Sequence, residues 1–328
     1  MRNKTLLLIF LISTVPTAAR AFSSSGFNTP ESMQVDPEDG AYYISNLHGD
    51  PVEKDGNGYI SKISANGNTV IQKYIGGNPK EPLLHAPKGL LITRNRIFVT
   101  DVDAVKVFEK KSGKQLFVVD LAPLGSKFAN DIAENSNGVL YVSDMLANKI
   151  FRIDPEKNYE VTVFKEGEIL GQPNGLMINP RTGNLMVVTW KSGEILEIDG
   201  SGRVHRLKRG LKNLDGIDFD LDGSIYVSSF EKGEIYRIPF YGRGTLTPFL
   251  SGLLTPADIS CDRKKREILI PSFKGNSVST KELPQKKNED LKSAAAPVKN
   301  PPDQSKNREK IKKTVFTNIS KKTRHRDL

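Results

Sequence analysis

The sequence predicts an all-β chain closed into a six-bladed β-propeller of four-stranded blades. Three observations predict it: a repeat of about 40–45 residues, several short alternating strands inside each copy, and turn residues between those strands. The repeat is plainest in Phe128–Asp154, FANDIAENSNGVLYVSDMLANKIFRID. A polar residue heads an apolar strand, an Asn- and Gly-containing turn comes next, a second strand ends in Ser-Asp, and a third strand alternates. Aligning the copies on the polar residue gives Pro30-Glu31-Ser32, Pro87-Lys88-Gly89, Ala129-Asn130-Asp131, Pro173-Asn174-Gly175, Leu214-Asp215-Gly216 and Pro256-Ala257-Asp258. The central residues are spaced by 57, 42, 44, 41 and 42 positions.

The first unit carries turn chemistry at Asp36-Pro37 and Asp39-Gly40, then a strand over Ala41–Ser45. An excursion, LHGDPVEKDGNG, precedes its next strand and accounts for the long first step, because a surface loop lengthens at small entropic cost. His48 lies in that excursion. Loops between blade strands overhang the central opening, so His48 reads either as a substrate contact or proton carrier or as an exposed loop histidine. The second unit turns at Arg94-Asn95 and Ser112-Gly113. The fourth and fifth share GEILEI and GEIYRI, each followed by a Gly-containing turn, which makes accidental periodicity untenable. The sixth, DISCDRKKREILIPSF then NSVSTKEL, diverges most and ends near Pro284. A closed ring needs its first and last blades joined, since otherwise both expose unpaired edges. Residues 22–29 are the segment available to pair with the last blade.

The chain therefore divides into an N-terminal segment 1–21, a propeller 22–284 and a tail 285–328. MRNKTLLLIFLISTVPTAARA has the layout of a cleavable secretory signal: two cations, an apolar run from Leu6 to Val15, then small residues. The run is too short to serve comfortably as a transmembrane anchor. Cleavage after Ala21 and a secreted or periplasmic location are expected. The tail is rich in Lys, Pro, Ser and Asn and is expected to be disordered. Its charge allows either weak contact with acidic surfaces or a solvated tail without a specific partner.

A formal charge of +10 on 328 residues invites a nucleic-acid reading, yet the distribution argues against it. The first 21 residues contribute +3 and the tail +8, which leaves the propeller at −1. A nearly neutral body has no reason to track a phosphate backbone, so no specific nucleic-acid partner is expected. The single cysteine, Cys261, excludes an internal disulfide and reads as a space-filling strand residue.

Equivalent positions in successive blades are related by rotation about the central axis. The residues Glu31, Lys88, Asn130, Asn174, Asp215 and Ala257 are therefore expected to converge at one end of the channel. Glu31, Asn130, Asn174 and Asp215 offer carboxylate and amide oxygens without sulfur or imidazole. That set suits a hard divalent cation, with Ca2+ favoured over magnesium because calcium accepts irregular all-protein oxygen sets.

Taken together, PES with DPEDGAYYIS, AND with GVLYVSD, PNG with GNLMVVTW, and LDG with DGSIYVSS resemble the six-bladed regucalcin and gluconolactonase (senescence-marker-protein-like) family. The resemblance covers most of residues 26–284. It implies that Glu31 and Asp215 are metal carboxylates, Asn174 a metal amide, and Asn130 a metal- or substrate-contacting amide. It further implies a metal-dependent hydrolase of a small-molecule lactone or ester, the cation polarising the carbonyl and Asp215 activating water; Asp131, beside Asn130, is the alternative base. The sequence departs from the family pattern at Ser32 and Met33, which replace Gly-Pro and Trp, at Lys127 and Phe128, where an arginine is absent, and at Lys88, whose ion pair with Glu31 would compete with metal. Lys88 and His48 are the further candidates for substrate binding. The alternative is a non-catalytic NHL-like propeller that binds a peptide, glycan or protein, its polar residues merely capping strands.

Overall fold

A computed structural model describes residues 21–78 and 83–284. The expected signal, except Ala21, and the expected tail lie outside the described residues. Six four-stranded antiparallel sheets succeed one another along the chain. The first holds β2 (Pro30–Val35), β3 (Tyr42–Asn46), β4 (Tyr59–Ile63) and β5 (Val70–Gly76). The second holds β6 (Pro87–Ile92), β7 (Arg96–Asp101), β8 (Ala104–Glu109) and β9 (Gln115–Asp120), and the third β10 (Ala129–Glu134), β11 (Leu140–Asp144), β12 (Lys149–Asp154) and β13 (Glu160–Glu166). The fourth holds β14 (Pro173–Ile178), β15 (Leu185–Thr189), β16 (Ile195–Ile198) and β17 (Val204–Lys208). The fifth holds β18 (Leu214–Phe219), β19 (Ile225–Ser229), β20 (Glu234–Ile238) and β21 (Thr247–Leu250).

The sixth sheet closes the ring. It joins β22 (Ser260–Asp262), β23 (Glu267–Ser272) and β24 (Ser277–Glu282) to β1 (Ser23–Ser25), which pairs antiparallel with β24 in register Ser24↔Val278. The 22–29 stretch thus supplies the outer strand of the last blade, as ring closure demands. Among the described residues no helix is long and apolar enough to cross a membrane.

The first strands of successive blades touch around the axis. The second strands β3, β15 and β19 are buried along their whole length, whereas the outer strand β9 alternates exposed residues with partly buried ones and the buried Val119. Apolar side chains fill the six gaps between blades. Phe98 and Val107 of the second blade meet Ile132 and Phe151 of the third, for example, and Met33 and Ile44 of the first meet Leu269 and Val278 of the sixth. Burying a side chain of this size stabilises by about 1.5–3 kcal/mol, so the inter-blade layers carry most of the favourable term.

Candidate metal centre

Each of the first five blades breaks its ladder at the same place. Pro30 pairs with Asn46 and Met33 with Ile44, so three steps on β2 oppose two on β3; the equivalent shifts lie at Pro87/Leu90, Ala129/Ile132, Pro173/Leu176 and Leu214/Ile217. A bulge of this kind re-aims the two residues it contains and frees one backbone N–H from the ladder. Those residues are Glu31-Ser32, Lys88-Gly89, Asn130-Asp131, Asn174-Gly175 and Asp215-Gly216, the motif positions of the repeat.

A hydroxyl one residue before the end of the second strand in blades one, two, three and five, on Ser45, Thr100, Ser143 and Ser228, explains why that residue is Ser or Thr there. In three blades it accepts the freed N–H: Ser32 N–H donates to Ser45 Oγ at 2.9 Å, Asp131 N–H to Ser143 Oγ at 3.0 Å and Gly216 N–H to Ser228 Oγ at 2.8 Å. Two of these hydroxyls then donate across to the next blade, Ser143 Oγ to Asn174 O at 2.6 Å and Ser228 Oγ to Ala257 O at 2.7 Å. Thr100 Oγ1 donates to Asn130 O in the same way. The glycines that close the Pro-Asn-Gly and Leu-Asp-Gly motifs permit this approach. A Cβ on Gly175 would stand 2.3 Å from Asp215 O, and one on Gly216 2.2 Å from Ile259 N. Sequence alone placed the six motifs in a ring; the bulge, hydroxyl and glycine together fix how each motif faces its neighbour.

All six ring residues are buried, Glu31 at 6% exposure, Asn130 at 3%, Asn174 at 2% and Asp215 at 5%. Among the described residues ten buried side-chain polar atoms lack a hydrogen-bond partner, and four of them are Glu31 Oε2, Asn130 Oδ1, Asn174 Oδ1 and Asp215 Oδ1. Each expected ligand therefore has one unpartnered oxygen, although buried polar atoms are ordinarily paired. Burial, followed by the charges of Asp215 and Asp258, pushes the Glu31 carboxyl well above its usual range. Burial and then Asp258 do the same to Asp215. The residues present fit a cation of the hard, oxygen-preferring class. No group of three or more His, Cys, Asp or Glu side chains among the described residues is placed to hold an ion, and the four unpartnered ring oxygens come from two carboxylates and two amides.

Lys88 is 1% exposed, and its ammonium donates to Pro51 O at 2.7 Å and Ala86 O at 3.0 Å and lies 4.4 Å from the centre of the Phe128 ring. Burial lowers it to about 8, against the pull of Asp101 and then Glu31. No ion pair joins it to Glu31 among the described residues; it acts on that carboxylate through space. The ammonium instead pins the excursion, which Lys54 also ties to Asp103 at 2.6 Å. His48 sits on the same loop with its Nδ1 3.1 Å from Asn57 O and its ring edge-on to Tyr59.

One residue further along the bulges the side chains are satisfied. Asp131 Oδ1 accepts from Ile132 N at 2.7 Å and its Oδ2 from Leu176 N in the next blade at 2.6 Å. Ser32 Oγ donates to Asp258 Oδ2 at 2.6 Å, and Asp258 N donates to Glu31 O at 2.9 Å, which joins the last blade to the first. Asp131 and Asp258 also reach a cavity of about 400 Å³ that Leu90, Met177, Phe219 and Arg263 help to line. Asp258 escapes a reading of the sequence, because the matching residue in the other copies is Ser, Gly or Asp and no constant residue type marks it.

No protein-family model matches the chain, and no curated protein matches it. Solved structures do share its fold. A catalytically inactive virginiamycin B lyase from Staphylococcus aureus with quinupristin is 17% identical at a TM-score of 0.57, the match covering 81% of this chain and 99% of that one. A structural genomics protein of unknown function from Bacteroides thetaiotaomicron is 15% identical at 0.59, covering 80% and 72% respectively. The nidogen/laminin complex is 16% identical at 0.59, covering 69% and 86%. Likeness at such identity establishes the propeller and nothing finer.

Proposed function

We propose that the chain is a divalent-metal-dependent hydrolase of a lactone or related ester. The observation that carries this reading is the set of four unpartnered buried oxygens on Glu31, Asn130, Asn174 and Asp215, one from each of four blades. Two carboxylates in a buried ring whose one cation is engaged by carbonyls call for a further positive charge, since buried charge is expensive unless paired. The resemblance of the motifs to regucalcin and gluconolactonase supports the same four residues. A hard divalent cation, Ca2+ by preference, would be held by these oxygens and would supply Lewis acidity toward a carbonyl oxygen.

The chain's own groups divide the remaining work. Asp215 takes a proton from the attacking water as the new C–O bond forms, and returns it to the alkoxide oxygen as the ring or ester C–O bond breaks. With Oδ1 given to the cation, its second oxygen takes the proton, since no hydrogen bond among the described residues engages the Asp215 carboxylate, whereas both oxygens of Asp131 are engaged by backbone N–H groups. The Asn130 amide orients the substrate, and the Lys88-pinned excursion restricts water on the side of the first two blades. The signal-like N-terminal segment supports a secreted or periplasmic compartment, which an intact mass beginning at Phe22 would bear out and a retained Met1 would refute. Calorimetric titration of the purified protein with calcium, followed by hydrolysis of a lactone and ester panel with and without chelator, tests the whole reading. No calcium heat and no turnover would leave the non-catalytic binding platform.

A further inference from the structure

The residue just after each second strand occupies one equivalent turn position per blade: Leu47, Val102, Met145, Trp190, Phe230 and Phe273. All six are apolar, so the mouth above the polar ring carries an apolar collar. Its two halves differ. Leu47 and Val102 are 1% and 5% exposed and lie in one small cluster beside the excursion, with Phe273 packed against its edge. Trp190, Phe230 and Phe273, from blades four to six, stay partly exposed and form a chain, with ring centroids 5.4 Å apart for Trp190–Phe230 and 5.5 Å for Phe230–Phe273.

These three blades, like the first, where Thr29 takes a φ of 48° two residues before Glu31, hold strained backbone directly ahead of the ring. Gln172, Asn213 and Thr255 each stand two residues before a ring position and take φ of 62°, 45° and 43°, in the left-handed region that residues with a Cβ seldom adopt. In blades four to six that carbonyl accepts the N–H of one aromatic, Trp190 to Gln172 O at 2.8 Å, Phe230 to Asn213 O at 2.9 Å and Phe273 to Thr255 O at 3.1 Å, where in the first blade Thr29 O accepts from Leu47 at 3.2 Å. The arc is thereby indexed to Asn174, Asp215 and Ala257. Backbone strain held in place by its surroundings concentrates at functional sites. Ala257, the one apolar member of the polar ring, lies in the same sector, and a cavity of about 360 Å³ opens beside Trp190 between blades four and five, its other walls formed by Gln172, Lys191, Lys212 and Asn213.

Resting on the hydrolase reading above, we propose that Trp190, Phe230 and Phe273 form a subsite for the non-reacting apolar body of the substrate. The preferred substrate is then an aryl- or alkyl-substituted lactone or ester rather than a polyhydroxylated one. The faces of the three rings offer hydroxyl groups neither donor nor acceptor, and the Asn213 amide and the Trp190 indole N–H beside them are already used. Turned so that its nitrogen faces Glu231, Asn213 donates to Glu231 Oε2 at 3.0 Å and accepts from Trp190 Nε1 at 3.3 Å.

Trp190 is the single tryptophan of the chain, so its fluorescence reports the subsite without any turnover. The full chain with calcium is titrated with a phenyl-substituted δ-valerolactam and, separately, with gluconolactam, both resistant to hydrolysis. The phenyl compound should change Trp190 emission saturably and bind about tenfold or more tightly than the sugar compound, a margin one well-packed ring can supply. Phe230→Ala should weaken it about fivefold while calcium binding stays unchanged, and Phe230→Leu serves where the alanine variant does not fold. Tighter binding of gluconolactam, or an unmoved Trp190 in a protein that still binds calcium and hydrolyses lactones, overturns the subsite and spares the hydrolase. Saturable phenyl-lactam binding without calcium binding or turnover keeps the subsite and defeats the hydrolase.

Discussion

Two adjacent layers of the axial channel, separated by one residue on the same strands, are built from similar side chains and treated in opposite ways. The outer layer leaves Glu31, Asn130, Asn174 and Asp215 each with an unpartnered oxygen. In the inner layer, Asp131 engages both carboxylate oxygens and Asp258 accepts from Ser32. Burial is equal in the two, at 6% exposure or less for every one of these residues. The difference shows that saturation, rather than polarity or burial, separates a ligand position from a stitch between blades.

The sharpest way to break that comparison is to remove one carboxylate from each layer. Asp215→Ala should lower turnover by about a thousandfold or more, the scale of losing a general base, and should remove most calcium affinity while the protein stays folded. Asp131→Ala should instead lower stability by about 3 kcal/mol, because it orphans two buried N–H groups, and leave calcium affinity of the folded protein nearly unchanged. Calorimetry with each variant reads both quantities. Loss of calcium binding in a folded Asp131→Ala variant would merge the two layers into one site.

Metal removal tests the outer layer through pH. In chelated protein burial holds Glu31 and Asp215 well above the usual carboxylate range, and Asp131 is pushed from 3.8 up to about 7. The unfolded chain keeps ordinary values, so the folded state binds the extra protons and stability falls as pH rises from near 3.8 through about 7. Calcium takes the place of those protons at Glu31 and Asp215. It should flatten much of the slope and, at a hundredfold excess over its dissociation constant, add about 2.7 kcal/mol by linkage. Urea midpoints across this range, with calcium and with chelator, decide it; parallel curves would mean that no cation couples to these carboxylates.

Lys88 gives a smaller effect with two signs. Lys88→Met removes a positive charge that acts on Glu31 and should tighten calcium several-fold. It also leaves Pro51 O and Ala86 O without their donor, at about 1–3 kcal/mol, so the thermal midpoint should fall. A weaker calcium affinity in this variant would show that the ammonium orders the ring instead of repelling its ion.

Much of this arrangement was legible in the sequence, and the rest was hidden for identifiable reasons. The spacing of Glu31, Asn130, Asn174 and Asp215 fixed their rotation about the axis, because a blade is one repeat long and the angular step comes from closure. Spacing says nothing about where an individual side chain ends. Lys88 shares the ring position yet turns its ammonium onto Pro51 O, a consequence of the excursion that no period describes. Asp258 and Ser32 are invisible to the repeat because their pairing crosses from the last blade to the first. The Trp190, Phe230 and Phe273 arc left a trace, an apolar residue after every Ser-, Thr-, Asn- or Asp-terminated second strand, which becomes visible only once the bulge shows which end of the strand meets the axis.

The smallest effect is also the cleanest control, because it uses one device in two blades. Ser143 and Ser228 are both fully buried, both accept the N–H freed by the bulge of their own blade, and both donate to the ring carbonyl of the next. Their alanine variants should therefore lose similar stability, about 1–3 kcal/mol each. The two donated bonds end on different residues, since Ser143 holds Asn174, an expected ligand, and Ser228 holds Ala257, whose side chain has no oxygen to offer. Ser143→Ala should weaken calcium about tenfold, the scale of removing a group that orients a metal ligand, whereas Ser228→Ala should leave it within about twofold. Equal losses of calcium affinity would mean that the hydroxyls act through ring rigidity as a whole, and that the ligand positions draw nothing specific from the blade beside them.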